Sequence, residues 1–188
     1  MRATPIVLAL GIVMAAIGSG ACGHMIRRQS SGEWLPGKQY APNGCVLILK
    51  VADGVEHAEG AVGGSGEGFR AELREQLNHH GLLGLPSEST SVKEGSADAT
   101  KYACGYVLKA TITEWEENAT EWSGKADTFA VSADLYMPDG TIVATARHRV
   151  EGSQSLMLAR TPDRFYPEVA DSILGKFFGW RPTTLTPR

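Results

Sequence analysis

The chain has 188 residues, enough for one domain with a real core, or one domain with extensions. Hydrophobic residues make up 43% and charged residues 21%, a globular balance that excludes wholesale disorder. A formal net charge of -3 offers no general field for nucleic acid or anionic lipid, and nucleic acid is excluded as a partner class on that ground.

The first residues set the compartment. Met1 to Pro5 is short and positive, Ile6 to Ile17 is an uncharged apolar run, and Gly18-Ser19-Gly20-Ala21 leads to Cys22. This is the layout of a secretory signal, with an apolar run shorter than the roughly 20 residues a spanning helix needs. Small residues just before a cysteine resemble the lipobox of bacterial lipoproteins. That resemblance implies cleavage after Ala21, a diacylglyceryl group on the Cys22 thiol and acylation of the new amine, with membrane lipid as a partner. Ser19 departs from the Leu usual three places before the cysteine, and a Ser-x-Ala ending also suits ordinary signal cleavage. Free secretion and an uncleaved anchor are therefore the competing readings. Gly23 stands where an Asp would signal inner-membrane retention, so the resemblance favours the periplasmic leaflet of the outer membrane over the inner membrane. Residues 22–44 lack apolar periodicity and are rich in Gly, Pro and polar residues. They read as a flexible tether, about 70 Å long if fully extended.

From Cys45 the pattern changes. Cys45 to Val51 is an almost unbroken apolar, branched run, the mark of a strand covered on both faces. After a glycine-rich stretch, Phe69, Leu73 and Leu77 recur at intervals of four and predict an amphipathic helix over 66–80, with Ser65 as N-cap and Gly81 as stop. Leu82 to Leu85 predicts a short edge strand, and Ser89 or Thr90 would cap a weak helix near 91–102. Alternation predicts strands at Tyr106–Ile112 and Phe129–Leu135, the latter joined through Pro138-Asp139-Gly140 to Thr141–Val150 as a hairpin. Val169, Ile173 and Phe177 mark a closing helix ended by Gly179. The expected architecture is a single α/β (α+β) domain over 45–180: a mixed sheet of four to five strands with two to three helices against it, then a polar tail at 181–188. Cys45 and Cys104 both begin predicted strands. In neighbouring parallel strands those starts lie close, which in an oxidising compartment allows a disulfide, separate buried thiols being the alternative.

Catalytic and metal signatures are not read in the chain. The five histidines show no zinc spacing, there is no G-x-S-x-G elbow, and no catalytic residue, cofactor or metal is assigned. Gly63-Gly64-Ser65-Gly66 lies between a strand and a helix, where amides can cradle an anion, but close helix–sheet approach explains it as well. The most distinctive segment holds Trp115, Glu116, Glu117, Thr120, Glu121, Trp122 and Ser123. Its tryptophans and glutamates would build a binding loop or a glycosidase-like carboxylate pair, or simply staple a loop between strands.

The run Trp115-Glu116-Glu117-Asn118-Ala119-Thr120-Glu121-Trp122-Ser123-Gly124-Lys125-Ala126-Asp127 resembles the W-E-D-R-A-T-E-W-S-G-x-x-D signature of a bacterial lipoprotein family, domain of unknown function 4823. Glu117 and Asn118 replace its Asp and Arg. The element order is similar to that of the periplasmic domains of the TolB N-terminal and curli secretion lipoprotein type. The resemblance implies a membrane-anchored, non-enzymatic module that binds or assembles with an envelope protein partner. A carboxylate-based hydrolase and a small-ligand-binding periplasmic protein are the alternatives.

Overall fold

A computed structural model describes residues 26–34, 44–56, 60–118, 126–152 and 161–181. In chain order the elements are β1 (Ile26–Trp34), β2 (Cys45–Ile48), β3 (Val55–Glu56), β4 (Gly60–Ala61), α1 (Ser65–His79), β5 (Leu83–Pro86), α2 (Val92–Lys101), β6 (Tyr106–Glu116), β7 (Asp127–Tyr136) and β8 (Ile142–Gly152). A 3-10 turn at Pro162–Phe165 then leads into α3 (Tyr166–Phe178).

The apolar run at 45–51 does what its composition requires. Val46, Leu47, Ile48 and Leu49 are buried, and β2 lies inside a six-stranded sheet of order β1-β8-β7-β6-β2-β5. It pairs in parallel with β5 and β6, while β6, β7 and β8 form an antiparallel meander whose outer edge is taken by β1, antiparallel to β8. One face carries α1 and α3. Phe69, Leu73 and Leu77 meet Val169, Ile173 and Phe177 over Phe129, Val131, Leu135 and Val150. On the other face α2 covers only the parallel end, against Leu47, Leu49 and Val107. Gly95 permits this approach, because a Cβ there would lie 2.3 Å from Leu49 Cδ2.

The mixed α/β class is as expected, but the sheet has six strands rather than four or five. The added strand is β1, which falls inside the segment read as tether. An edge strand draws its stability from the backbone ladder of its neighbour and keeps one side in water, so it needs no apolar alternation. A second local difference concerns the start of α1. Gly64, not Ser65, is the N-cap residue and gives no side-chain cap. Ser65 Oγ instead accepts the Gly54 amide at 2.8 Å and donates to the Val62 carbonyl at 2.7 Å. The weak second helix is capped by Ser91, whose hydroxyl accepts the Glu94 amide. The two preceding residues considered for that role lie outside the cap.

The C-terminal end of α3 is clasped onto α1. The Trp180 indole N–H donates to Asp171 Oδ1 at 2.8 Å, and its ring stacks on His80 at 3.9 Å between centroids. Trp180→Ala removes this ring and one hydrogen-bond donor to the buried Asp171. It should cost about 2 kcal/mol, read as a fall in the urea midpoint with unchanged slope.

Candidate functional site

The distinctive segment begins where β6 ends. A register shift between Ile112 and Glu114 turns Trp115 toward the helix-covered face. There it is 3% exposed and packs edge-on against Phe129 at 5.7 Å and near Tyr166 at 6.0 Å. Trp115 is thus core rather than a contact residue of a binding loop. Glu116 and Glu117 are half-buried at the strand end, and the Glu117 amide donates to Glu56 Oε1 at 3.3 Å. The base of the loop is tied by Asn118, which departs from the signature, and by Asp127, which keeps it. The Asn118 amide donates to Asp127 Oδ1 at 2.9 Å and its side chain donates to the Ala126 carbonyl at 2.6 Å. Asp127 is fully buried and pairs with Arg164 at 2.7 Å. The remaining loop residues named from sequence, Thr120, Glu121, Trp122 and Ser123, lie outside the described residues, as does Cys22.

Cys45 and Cys104 are joined by a disulfide, with Cα atoms 4.3 Å apart. It links the start of β2 to the residue pair preceding β6. The glycine-rich turn before α1 is not an empty anion cradle: the Gly66 amide already donates to Asp53 Oδ1 at 2.8 Å. A carboxylate of the chain itself occupies the positive helix end.

The broader surface feature is the sheet face that α2 leaves uncovered. Across four strands the register aligns Thr111, Ser132, Arg147 and Ser31 in one row. Glu114, Ala130, Arg149 and Gln29 form the next, and Glu116, Thr128, Glu151 and Arg27 the next again. Arg149 grips Glu114 with two parallel bonds of 2.7 and 3.0 Å and also reaches Glu151. Its guanidinium is held further toward the charged form, the Glu114 hydrogen bond being the largest cause. Beside this pair Gln29, Ser31, Thr113 and Arg147 line a shallow groove of about 350 Å³. Sequence reading passed over this face. The signal was the alternation of Thr145, Arg147, Arg149 and Glu151 with Ala146, His148 and Val150 in β8, the period-two pattern of a strand wet on one side.

On the covered face, β1 is fastened to α3 by a small polar cluster. Arg28 forms a two-point ion pair with Glu168, and His148 Nε2 lies 3.8 Å from the same carboxylate. His148 Nδ1 is 2.8 Å from Ser172 Oγ. Burial pushes the Glu168 carboxyl up, but the nearby His148 and the Arg28 hydrogen bonds outweigh it and hold the pKa at about 2. A depressed carboxylate stabilises the fold above its unfolded pKa, and that contribution is lost as pH falls through the folded value. Acid titration should therefore erode about 1 kcal/mol of stability between about pH 4.5 and about pH 2, the rest being screened by water. Glu168→Gln should lack this segment of the pH–stability curve; an unchanged acid limb would refute the assignment.

No protein-family model matches the chain, and no curated protein matches it. Among solved structures, the PelC dodecamer from Paraburkholderia phytofirmans is similar at 15% identity and TM-score 0.59, covering 84% of this chain and 100% of that one. A variant PelC dodecamer from the same organism is similar at 18% identity and TM-score 0.54, covering 86% and 100%. A Xanthomonas campestris protein described as family-model DUF330 follows at 13% identity and TM-score 0.49, covering 78% and 88%. At these identities the likeness to the two PelC structures establishes a shared fold and nothing further. Among the described residues no helix is long and apolar enough to cross a membrane.

Proposed function

We propose that the chain is a cell-envelope lipoprotein, held through acylated Cys22 at the periplasmic leaflet of the outer membrane. In this reading its α/β domain binds or assembles with envelope proteins and catalyses no reaction. The observation that carries the reading is the half-covered sheet: four strands align rows of charged and hydroxyl groups on a face that, beyond α2, no described helix covers. Such a face suits docking by electrostatic complementarity, in which ordered charge selects the partner and fixes its register. The fold likeness to PelC, solved as a dodecamer, supports an assembly role as an analogy of architecture.

The test uses full-length protein in mild detergent, with mass from light scattering and chemical cross-links mapped by mass spectrometry. The expected result is a defined multi-chain particle with cross-links at Lys109 on the open face, lost when Arg147 and Arg149 are both changed to Glu. A single-chain mass with no cross-link on this face would overturn the assembly reading. For the anchor, the N-terminal peptide from the native host should carry acyl chains on Cys22, and a bare amine there would overturn it.

A further inference from the structure

The two ends of the sheet differ, and the register shows which one the N-terminal segment leaves. β1 enters at Ile26, paired with Gly152, and exits at Trp34, paired with Ala144. The Ile26 end also holds the close of β6, the opening of β7 and the β3–β4 hairpin, where Glu56 meets the Glu117 amide. The opposite end holds the starts of β2, β5 and β6 and the turn between β7 and β8. Large apolar side chains are exposed at both: Ile26 and Val55 at the first, Leu83, Tyr102 and Ile142 at the second.

Cys22 precedes Ile26 by four positions. Whatever path the intervening residues take, their contour cannot exceed about 14 Å. β8 alone has 11 residues, which at the rise of a strand separates the two ends by about 35 Å. A tether running to residue 44 would leave the domain free to tumble over the bilayer; a strand beginning at Ile26 does not. We infer that the acylated protein stands on the phospholipid bilayer by its Ile26–Val55 end, with the end bearing Leu83, Tyr102 and Ile142 turned away from lipid. This rests on the lipid anchor proposed above. The leash is less than half the height of the sheet, so the far end cannot rest on lipid while the near end points away from it. Exposed Ile26 and Val55 lie where apolar side chains meet the interfacial region.

The test places a photoreactive residue in the full-length protein, Val55→p-benzoylphenylalanine, or the same change at Leu83 or at Ile142. Each protein is reconstituted into vesicles of phosphatidylethanolamine and phosphatidylglycerol, and phospholipid adducts are counted after irradiation. A leash this short predicts adducts at Val55 about fivefold above those at Leu83 and Ile142. Equal yields, or an excess at the far end, would overturn the orientation. Inserting about twelve Gly-Ser residues between Met25 and Ile26 should even out the yields, because a coil of that length spans the difference. A contrast that survives the insertion would show that the leash does not set it. A second arm couples the mature chain through its Cys22 thiol to a maleimide phospholipid, Cys45 and Cys104 being joined to each other. If native protein carries no acyl chain yet the coupled protein labels at Val55, the anchor reading fails while the geometric constraint stands. If acylated protein labels at Leu83, the orientation fails while the anchor stands.

Discussion

Replacing both Cys45 and Cys104 by serine should lower the thermal midpoint by about 10 °C, equivalent to about 4 kcal/mol. The bridge spans a sequence separation of 59, and α1, β5 and α2 all lie inside the loop it closes. In the unfolded chain that closure removes a large share of the loop's conformational freedom. In the folded chain it costs little, since β2 and β6 are already neighbours with Val46 opposite Tyr106. Cys104 is 3% exposed, so a serine hydroxyl there adds a desolvation penalty of its own. Circular dichroism melts with and without reductant make the check. Reduced native protein should melt well below the oxidised protein, and the double variant lower still by the cost of the buried hydroxyl. A melt indifferent to reductant would mean that the loop is already confined by packing alone.

Gly66→Ala should destabilise the domain by about 3 kcal/mol or more. A Cβ at this position would lie 2.3 Å from the Val51 carbonyl oxygen and 2.8 Å from the Ala52 carbonyl carbon. Both are backbone atoms of the segment leaving β2, so relief would have to shift the first turn of α1 away from the sheet. That shift would also lengthen the bond by which the Gly66 amide reaches Asp53. Gly63 is the internal control, because a Cβ there meets nothing within 4 Å. Gly63→Ala should leave the urea midpoint nearly unchanged while Gly66→Ala moves it strongly. Equal effects would show that the turn, rather than the helix–sheet approach, requires glycine.

How much of this was legible depends on where each segment's stability comes from. The helix over Phe69, Leu73 and Leu77, the hairpin through Asp139 and the closing helix with Val169, Ile173 and Phe177 bury one face each, and burial writes its period into the residues. β1 is different. Its pairing with β8 is a backbone matter, and its side chains are exposed over 26–32. Nothing in IRRQSSGEW marks it as a strand. The cap of α1 was misread for a similar reason. Ser65 has the right chemistry, but Asp53, distant in sequence, takes the Gly66 amide and frees Ser65 to bind Gly54. At the candidate site, the Trp115 signature was visible as a pattern, while its role as core beneath Tyr166 depends on a bulge that no local spacing reveals. The open face was written into β8 by alternation, yet only the register with β1, β6 and β7 assembles it into rows.

The pairing of β1 with β8 also orders events in time. Ile26 and its partner Gly152 are more than a hundred residues apart in the chain. Until that late partner exists, the first strand has no ladder to join. β1 therefore cannot join the sheet before β8 is in place. A chain interrupted before residue 142 would keep an unpaired N-terminal strand, and with it an open edge that other chains can join.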